Sequence, residues 1–320
     1  MTLTREASKA PEAGGPTRRP HPKRPSRRSS ETRAGYAFLA PWLLGFIALT
    51  AGPMVASLYL AFTNYHPVRG SDWIGWDNFT RMFSDDRFLK SVEVTVTYVV
   101  VGTPIKLAAA LAVAMLLNSR RRGQGVYRSL FYAPSLIGAS VSIAIVWRAM
   151  FNDQGVVDDV GQFFGLPPGG WVGDPSMTMP MMILLAVWQF GAPMVIFLAG
   201  LKQIPSELYE AAEVDGAGPV RKFLKITLPM LSPVLFFNLV LETINSFQVF
   251  ASAFIISRGT GGPADSTMFY TLYLYLRGFG DGQLGYAAAM AWVLVVVVGI
   301  ITLVFFKTSK YWVHYNGERA

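Results

Sequence analysis

Two ionisable residues stand inside long apolar runs, where charge is rare. Lys106 interrupts VVVGTPIKLAAALAVAML, and Glu242 interrupts FFNLVLETINSFQVFASAF. At a rise of about 1.5 Å per residue, each lies roughly 18 Å into its run, near the middle of a bilayer. Charges at that depth face the protein interior and usually have partners. Three roles remain open: a pair between the two residues, direct contact with a substrate, or separate partners.

Side-chain amides and aromatic rings share these runs. Such groups suit a sugar, whose hydroxyl groups need donors and acceptors while its C–H face packs on a ring. Membrane helices also use amides as interhelical hydrogen bonds and rings as filler, so both roles remain open. The candidate substrate-contacting residues are Lys106, Gln189, Asn238, Glu242, Asn245, Gln248 and Phe250.

The composition indicates which elements must position these residues. Of the 320 residues, 52% are hydrophobic and only 15% are charged, against about 25% charged in an average soluble chain. A bilayer core needs roughly 20 apolar residues per helix. Six runs meet that length, so the sequence predicts six membrane spans. They cover residues 36–62, 94–117, 130–147, 179–201, 229–256 and 286–306.

The distribution of the net charge of +8 predicts the orientation. Most Lys and Arg fall before residue 36, in 118–129, in 202–228 and after 306, the segments that would be inside if the N-terminus is cytoplasmic. We therefore expect cytoplasmic N- and C-termini. Residues 1–33, rich in Pro, Arg and Ser, are predicted to be a disordered basic cytoplasmic tail. The tail either contacts membrane lipid or serves as an orientation signal.

The chain lacks the residues that several other kinds of chemistry require. The chain has no cysteine, its three histidines lack metal-ligand spacing, and no GxxxxGK[ST] motif occurs. We expect no metal, no cofactor bound by this chain, no nucleic-acid partner and no catalytic group.

A charged segment, ELYEAAEVDGAGPVRKFLKITLPMLSP, separates two apolar runs within residues 202–233. Ser206 is predicted to be the N-cap of a short helix, Glu207 and Glu210 suit its first turn, and Gly216 supplies a left-handed stop. Pro219 would begin a second short helix, and Pro229 would open the next span. The pattern predicts a helix-turn-helix at the membrane surface, with small side chains that let another protein approach closely.

This segment resembles the EAA loop of permease subunits of binding-protein-dependent ABC importers. About eleven positions match at fixed spacing: Glu210, Ala211, Ala212, Asp215, Gly216, Ala217, Phe223, Ile226, Leu228, Pro229 and Pro233. Further stretches from about residue 36 to residue 318 are similar to sugar permeases of the maltose and glycerol-phosphate type.

The resemblance implies an all-α integral membrane fold with six transmembrane helices and a cytoplasmic coupling-helix loop. Residues 34–320 would form the permease domain in the bacterial cytoplasmic (inner) membrane. The implied partners are a second permease subunit, a cytoplasmic ATPase dimer that binds ATP and Mg, and an extracytoplasmic sugar-binding protein. The implied ATPase-coupling residues are Glu207, Glu210, Ala211, Ala212, Asp215, Gly216, Ala217 and Pro229.

Two alternatives from other classes remain. In an ion-coupled secondary transporter, Lys106 and Glu242 would relay protons, although such folds usually show internal repeats and broken helices, and the sequence shows neither clearly. A membrane-embedded enzyme would need an acid, a base and a nucleophile together, and no loop collects them. The aromatic stretch 266–276 is expected to form an interfacial helix, or an outer gate if the resemblance holds.

Overall fold

The computed structural model describes residues 27–118, 124–138, 141–165 and 169–314. Within these ranges the elements are helical, and β-structure is limited to isolated bridges. The chain divides into two compact units, Met1–Val55 and Ala56–Ala320.

In the described residues between 27 and 163 there are eight α-helices. They are α1 (Arg27–Phe46), α2 (Gly52–Leu60), α3 (Asp77–Met82), α4 (Asp86–Thr97), α5 (Thr103–Leu117), α6 (Gln124–Gly138), α7 (Val141–Phe151) and α8 (Val156–Phe163). The second half continues with α9 (Pro175–Trp188), α10 (Gly191–Leu201), α11 (Ser206–Val214), α12 (Pro219–Lys222), α13 (Leu228–Phe247), α14 (Ala251–Ile256), α15 (Tyr270–Tyr275) and α16 (Leu284–Trp312).

Four helical stretches in the described part of the chain are long and apolar enough to cross a membrane: Gly35–Leu60, Asp86–Leu117, Pro219–Ile256 and Leu284–Trp312. Two helix pairs meet the same criteria together but are bent. Gly125–Gly138 and Val141–Phe163 differ by 96°, and α9 and α10 differ by 45°. The structure therefore supports four to six spans, and the number six remains a prediction.

The bends correct the expectation that spans three and four are continuous. Between α9 and α10 the chain turns at Gln189, and the Ser135 hydroxyl bridges the break. It donates to the Gln189 carbonyl at 2.9 Å and accepts from the Ala192 N–H at 3.1 Å. A broken membrane helix is tolerated when a neighbouring side chain satisfies the freed backbone groups in this way.

The fifth span begins earlier than predicted, because Pro229 does not open it. A π-helical turn, Phe223–Thr227, joins α12 to α13 without interruption, and the Leu228 N–H reaches back five residues to the Phe223 carbonyl. Proline removes one backbone donor and its ring crowds the carbonyl four residues earlier, so a wider turn just before it relieves both problems. Pro53 and Pro104 also stand two residues after a π-helical turn.

The predicted basic tail lies outside the described residues as far as residue 26. Its last part, residues 27–33, differs from the prediction, because α1 already begins at Arg27. Helix propagation costs little once a turn is formed, so an apolar helix can extend into a polar flank.

The core of the second unit has two clusters of buried side chains. The larger joins α4, α9, α15 and the start of α16 around Met181, Phe269, Tyr273 and Met290. The smaller joins α5, α10 and α13 around Phe197 and Leu231. The smaller cluster packs α10 against α5 and α13, the helices that carry Lys106, Asn238, Glu242 and Asn245.

Candidate functional site

Lys106 and Glu242 form an ion pair between α5 and α13. The Lys106 Nζ lies 2.6 Å from the Glu242 Oε2, and the two side chains are 16% and 9% exposed. Of the three roles left open by the sequence, the structure therefore favours the pair over separate partners. Whether the pair also contacts substrate is a separate question, which depends on the surrounding cavity.

A cavity of about 350 Å³ lies against this pair. It brings together four of the seven predicted residues, Lys106, Gln189, Glu242 and Asn245, from three separate parts of the fold. The remaining lining residues are Tyr98, Gly102, Leu185, Ala186, Ser246, Val249 and Ser252. A charged pair, two amides and several hydroxyl groups offer donors and acceptors to a polyhydroxylated ligand.

The hydroxyl groups of Tyr98, Ser246 and Ser252 also line the cavity but are not among the residues predicted from the sequence, although a periodic signal is present. Glu242, Asn245, Ser246 and Val249 have the spacing of a single helix face, and Tyr98, Gly102 and Lys106 recur every four residues. Extending each charged position along its own face would have found Tyr98 and Ser246, whereas Ser252 lies in the next helix, α14. Ser246 also contacts Thr103 across α5 and α13, with hydroxyl oxygens 2.9 Å apart.

The other three candidates lie elsewhere. The Asn238 amide is buried and donates to the Pro193 carbonyl at 3.4 Å, which is the interhelical role left open by the sequence. Gln248 is the exposed C-cap of α13, where the helix ends and its face no longer points into the cavity. The Phe250 ring packs on Phe254 and Tyr275, with centroids 5.6 and 5.2 Å away.

Gln189 reaches the cavity because Gly138 leaves room for it. A Cβ at Gly138 would stand 2.5 Å from the Gln189 Cγ, so even alanine would push the amide side chain away. Gly191, at the start of α10, approaches the α6 backbone so closely that a Cβ would lie 2.7 Å from the Phe131 carbonyl oxygen. Glycine permits both close approaches.

The second candidate site is the loop 202–233, in which α11 ends in a Schellman motif. Gly216 has a φ of +71°, the Ala217 N–H donates to the Ala212 carbonyl at 2.8 Å, and the Gly216 N–H donates to the Glu213 carbonyl at 3.0 Å. This pattern is the glycine-terminated helix end. The prediction for Gly216 agrees with the structure, whereas that for Ser206 is wrong. Ser206 is the first helical residue, and its side chain caps nothing, because the turn begins at extended Pro205.

Most of the predicted coupling residues are accessible. Exposed positions are Glu207, Glu210, Ala211, Asp215 and Gly216, while Ala212, Ala217 and Pro229 are half-buried. Apolar side chains are exposed beside them, including Val214 at 90% and Val220 at 69%. The loop therefore presents small, acidic and apolar groups together on one accessible surface.

Two contacts hold this surface against the fifth span. Lys222 Nζ lies 2.6 Å from Glu213 Oε1, and this hydrogen bond with its positive charge lowers the pKa of the Glu213 carboxyl. The Tyr209 and Thr227 hydroxyl oxygens are 2.9 Å apart. Since Thr227 lies in the π-helical turn that continues into α13, displacement of α11 would reach the helix that carries Glu242.

At the start of α4, Asp85 connects three segments through its carboxylate. The Oδ2 atom accepts from the Tyr273 hydroxyl at 2.6 Å and from the Tyr286 hydroxyl at 3.0 Å, and Arg277 lies 3.3 Å away. The Oδ1 atom caps α4 at the Phe88 N–H. Tyr273, in the stretch 266–276, is therefore buried against this carboxylate and does not anchor the stretch in lipid, contrary to the expectation from the sequence. That the stretch lies at the membrane surface stays a prediction.

Hydrogen bonding decides the charge state of this group. Burial is the largest single influence on Asp85 and would raise its pKa. The hydrogen bonds from Tyr273, the Phe88 N–H and Tyr286, with the charge of Arg277, outweigh burial and hold the pKa below its usual range. Burial and the bond to Asp85 raise the pKa of Tyr273 to about 12. Asp85 is therefore an anion and Tyr273 a neutral donor at physiological pH.

Comparison with known proteins identifies the family. Residues 94–310 match the family model described as "Binding-protein-dependent transport system inner membrane component". The chain is 52% identical to the probable ABC transporter permease protein YesP of Bacillus subtilis (strain 168), covering 89% of this chain and 93% of that protein. It is 31% identical to the lactose transport system permease protein LacF of Rhizobium radiobacter, covering 86% and 94%.

A solved structure agrees in fold. The chain resembles a chain of a bacterial alginate ABC transporter in complex with an alginate pentasaccharide-bound periplasmic protein, with a TM-score of 0.74 and 22% identity. The match covers 89% of this chain and 96% of that one. The family match spans more than half of this sequence and includes both sites described above. The protein thus belongs to the inner-membrane components of binding-protein-dependent transport systems, as a multi-pass permease subunit of an ABC transporter.

Proposed function

We propose that this permease moves a sugar or short oligosaccharide, delivered by an extracytoplasmic binding protein, through the cavity beside Lys106 and Glu242. The cavity carries the proposal, because it combines an ion pair, amides and hydroxyl groups with apolar walls. Counting residues along the helices predicts that it lies near the middle of the bilayer. Relatives named for lactose and for arabinooligosaccharides support a saccharide substrate. Since Glu242 already neutralises Lys106, the chain needs no charged ligand at this point.

The proposed pathway needs further subunits. A second permease would close the cavity from the other side, and a cytoplasmic ATPase dimer, with ATP and Mg bound there, would supply the energy. Such an ATPase shifts the equilibrium only by binding one conformation of the permease better than another. The loop 202–233 is the proposed contact: α11 offers a small-sided accessible surface, and its link to α13 would transmit the movement.

Family membership favours this ATP-driven system over the ion-coupled alternative. The expectation of unbroken helices was wrong, because two helix pairs are bent, so helix continuity does not separate the two classes. Family membership does separate the two classes, since the members of this family depend on a binding protein. Permease subunits of this family are transport components and not enzymes in themselves.

The proposed topology has six spans, with the loop 202–233 and both termini in the cytoplasm. The absence of native cysteine makes labelling a clean test. Val214→Cys and Val68→Cys place a thiol at positions that are 90% and 87% exposed. An impermeant maleimide added to intact spheroplasts should label Val68→Cys only, and both after permeabilisation. Labelling of Val214→Cys in intact cells would contradict the orientation.

The transport test starts from a tagged chain solubilised gently from its native membrane. We expect an ATPase, a second permease and a binding protein to co-purify. In proteoliposomes, uptake of a labelled saccharide such as lactose or an arabinooligosaccharide should require ATP and the binding protein and should stop with vanadate. Uptake driven by a proton or sodium gradient without ATP would overturn the proposal.

A further inference from the structure

One face of α6 supports the break between α9 and α10. Phe131, Ser135 and Gly138 have the spacing of a single helix face. The Ser135 hydroxyl bonds to both sides of the break, and the centroid of the Phe131 ring lies 6.1 Å from that of the Phe190 ring. Since Gln189 is the residue at the break, α6 fixes the point on the cavity wall from which the Gln189 side chain starts.

Gly138 stands on this face although its backbone does not need glycine. It is a helical residue and is not one of the described glycines with a positive φ, and glycine is less favourable than alanine in a helix. A Cβ there would lie 2.5 Å from the Cγ of Gln189, 2.7 Å from its Cδ and 3.2 Å from its Nε2, and these are the three nearest atoms outside α6. The missing side chain at Gly138 therefore makes room for the Gln189 amide.

The Gln189 amide is available to a ligand, whereas several other polar groups of the cavity already have partners. Lys106 and Glu242 form their ion pair, and the Ser246 hydroxyl lies 2.9 Å from that of Thr103. Within the part of the chain that the structure describes, the Gln189 side chain makes no hydrogen bond, and neither of its amide atoms is enclosed. An amide has one acceptor oxygen and two N–H donors, so it can both donate to and accept from a hydroxyl group.

We propose that Ser135 and Gly138 are positioning residues of the transport pathway, which hold the Gln189 amide where it distinguishes a saccharide hydroxyl from a hydrogen atom. The inference rests on the proposed function, since it concerns the same cavity, and it adds a residue that determines specificity and the helix that places it. An amide held toward the substrate disfavours an analogue without the matching hydroxyl, because the amide then stays unpaired.

The first test measures positioning without transport, as melting temperatures of the full-length chain in lipid nanodiscs. Gly138→Ala should lower the melting temperature by at least about 2 °C more in the parent than in Gln189→Ala, where the Cγ that the new methyl group would meet is gone. Gly125→Ala is the matched control on the same helix, with nothing within 4 Å of its Cβ, and should not depend on residue 189. Equal shifts for Gly138→Ala in both backgrounds would overturn the positioning.

The second test measures specificity in proteoliposomes that hold the whole complex, with saturating binding protein. The probes are labelled lactose or arabinotriose, whichever the parent takes up, and the monodeoxy analogues of that sugar. The parent should favour the sugar over at least one analogue by about 3- to 10-fold, and Gln189→Ala should lose that preference. The binding protein is the same throughout, so its own preference cancels between parent and variant.

The positioning variants must repeat this loss. Gly138→Ala and Ser135→Ala should each reduce the same preference, and Gly138→Ala should add nothing in the Gln189→Ala background. Gln248→Ala, a glutamine variant outside the cavity, should keep the parent's preference. An unchanged preference in Gln189→Ala or in Gly138→Ala would overturn the inference, because a merely structural role would alter the rate for sugar and analogue equally.

The inference and the proposed function fail in different measurements. Absence of ATP-dependent uptake of either sugar by the parent complex would overturn the proposed function, and this inference with it. Uptake by the parent with the same preference in all variants would remove the roles of Ser135, Gly138 and Gln189 alone.

Discussion

The ion pair between α5 and α13 makes a quantitative prediction. Removing one partner of a buried pair leaves an uncompensated charge and costs about 3–5 kcal/mol, whereas replacing both with apolar side chains is about neutral. With side chains 16% and 9% exposed and 2.6 Å between Nζ and Oε2, this pair is of the buried kind. We expect Lys106→Met and Glu242→Leu each to destabilise the protein and the double variant to recover most of the loss.

The assay is a double-mutant cycle on the free energy of unfolding, measured by SDS titration of the purified chain in bicelles. Polar groups in an unfolded membrane chain also find partners, so we set the expected coupling at no less than about 2 kcal/mol. A matched control exists in Lys90 and Glu93, an exposed pair on α4 with 3.0 Å between Nζ and Oε1. The same substitutions there should couple by only about 0.2–0.5 kcal/mol.

Additive effects of Lys106→Met and Glu242→Leu, within about 0.5 kcal/mol, would refute the pairing. A coupling energy no larger than that of Lys90 and Glu93 would show that the pair of Lys106 and Glu242 does not behave as a buried pair. Uptake by the double variant tests whether the two charges also take part in transport. If the pair is mainly structural, the double variant should transport, whereas a folded but inactive double variant would show that substrate needs the charges themselves.

Further predictions concern single positions. Gly216→Ala should lower the free energy of unfolding by about 1–2 kcal/mol, because φ is +71° at this position. It should also lower the transport-coupled ATPase activity of the reconstituted complex. The control Gly218→Ala, in equally open space at φ −69°, should leave that activity unchanged. Gly191→Ala should lower the melting temperature, because its Cβ would meet the Phe131 carbonyl, whereas Gly299→Ala, with open space around it, should not. Asp85→Asn should destabilise by about 2 kcal/mol at pH 7. Because the folded pKa of Asp85 is lowered, its stabilisation is fully present above the unfolded pKa, about 3.9, and is lost as pH falls through the folded value. The difference between the melting curves of parent and variant should therefore begin to shrink below about pH 4. A constant difference down to pH 3 would show that the carboxylate charge is not the cause.

Several features followed from local sequence alone. Local sequence predicts the apolar runs of bilayer length, the turn at Gly216 and the spacing of the EAA loop. It can do so because helix formation and helix ends depend on groups only a few positions apart. The depth of Lys106 and Glu242 followed from counting residues along a helix. Even the missed Ser246 and Tyr98 share helix faces with these charges, so the same local signal could have found them.

Other features depended on contacts between distant segments. The break at Gln189 depends on the Ser135 hydroxyl, which comes from another helix. Sequence periodicity does not report this contact, because its two partners lie in different segments. Pro229 is a local case: it lies inside a continuous helix because of the π-helical turn directly before it, which the α-helical period of 3.6 residues does not predict. Propensity likewise assigned Tyr273 to an interface, but a carboxylate 188 positions earlier holds it in the core.

The sequence by itself determined that this chain is a helical membrane protein, which loop reverses at its surface, and where two charges lie in depth. Only the tertiary structure decided which of the seven candidate residues share a cavity. A helix face is periodic and can be read from one segment, whereas the partner of Lys106 lies 136 positions away and is selected by the packing of α5, α10 and α13.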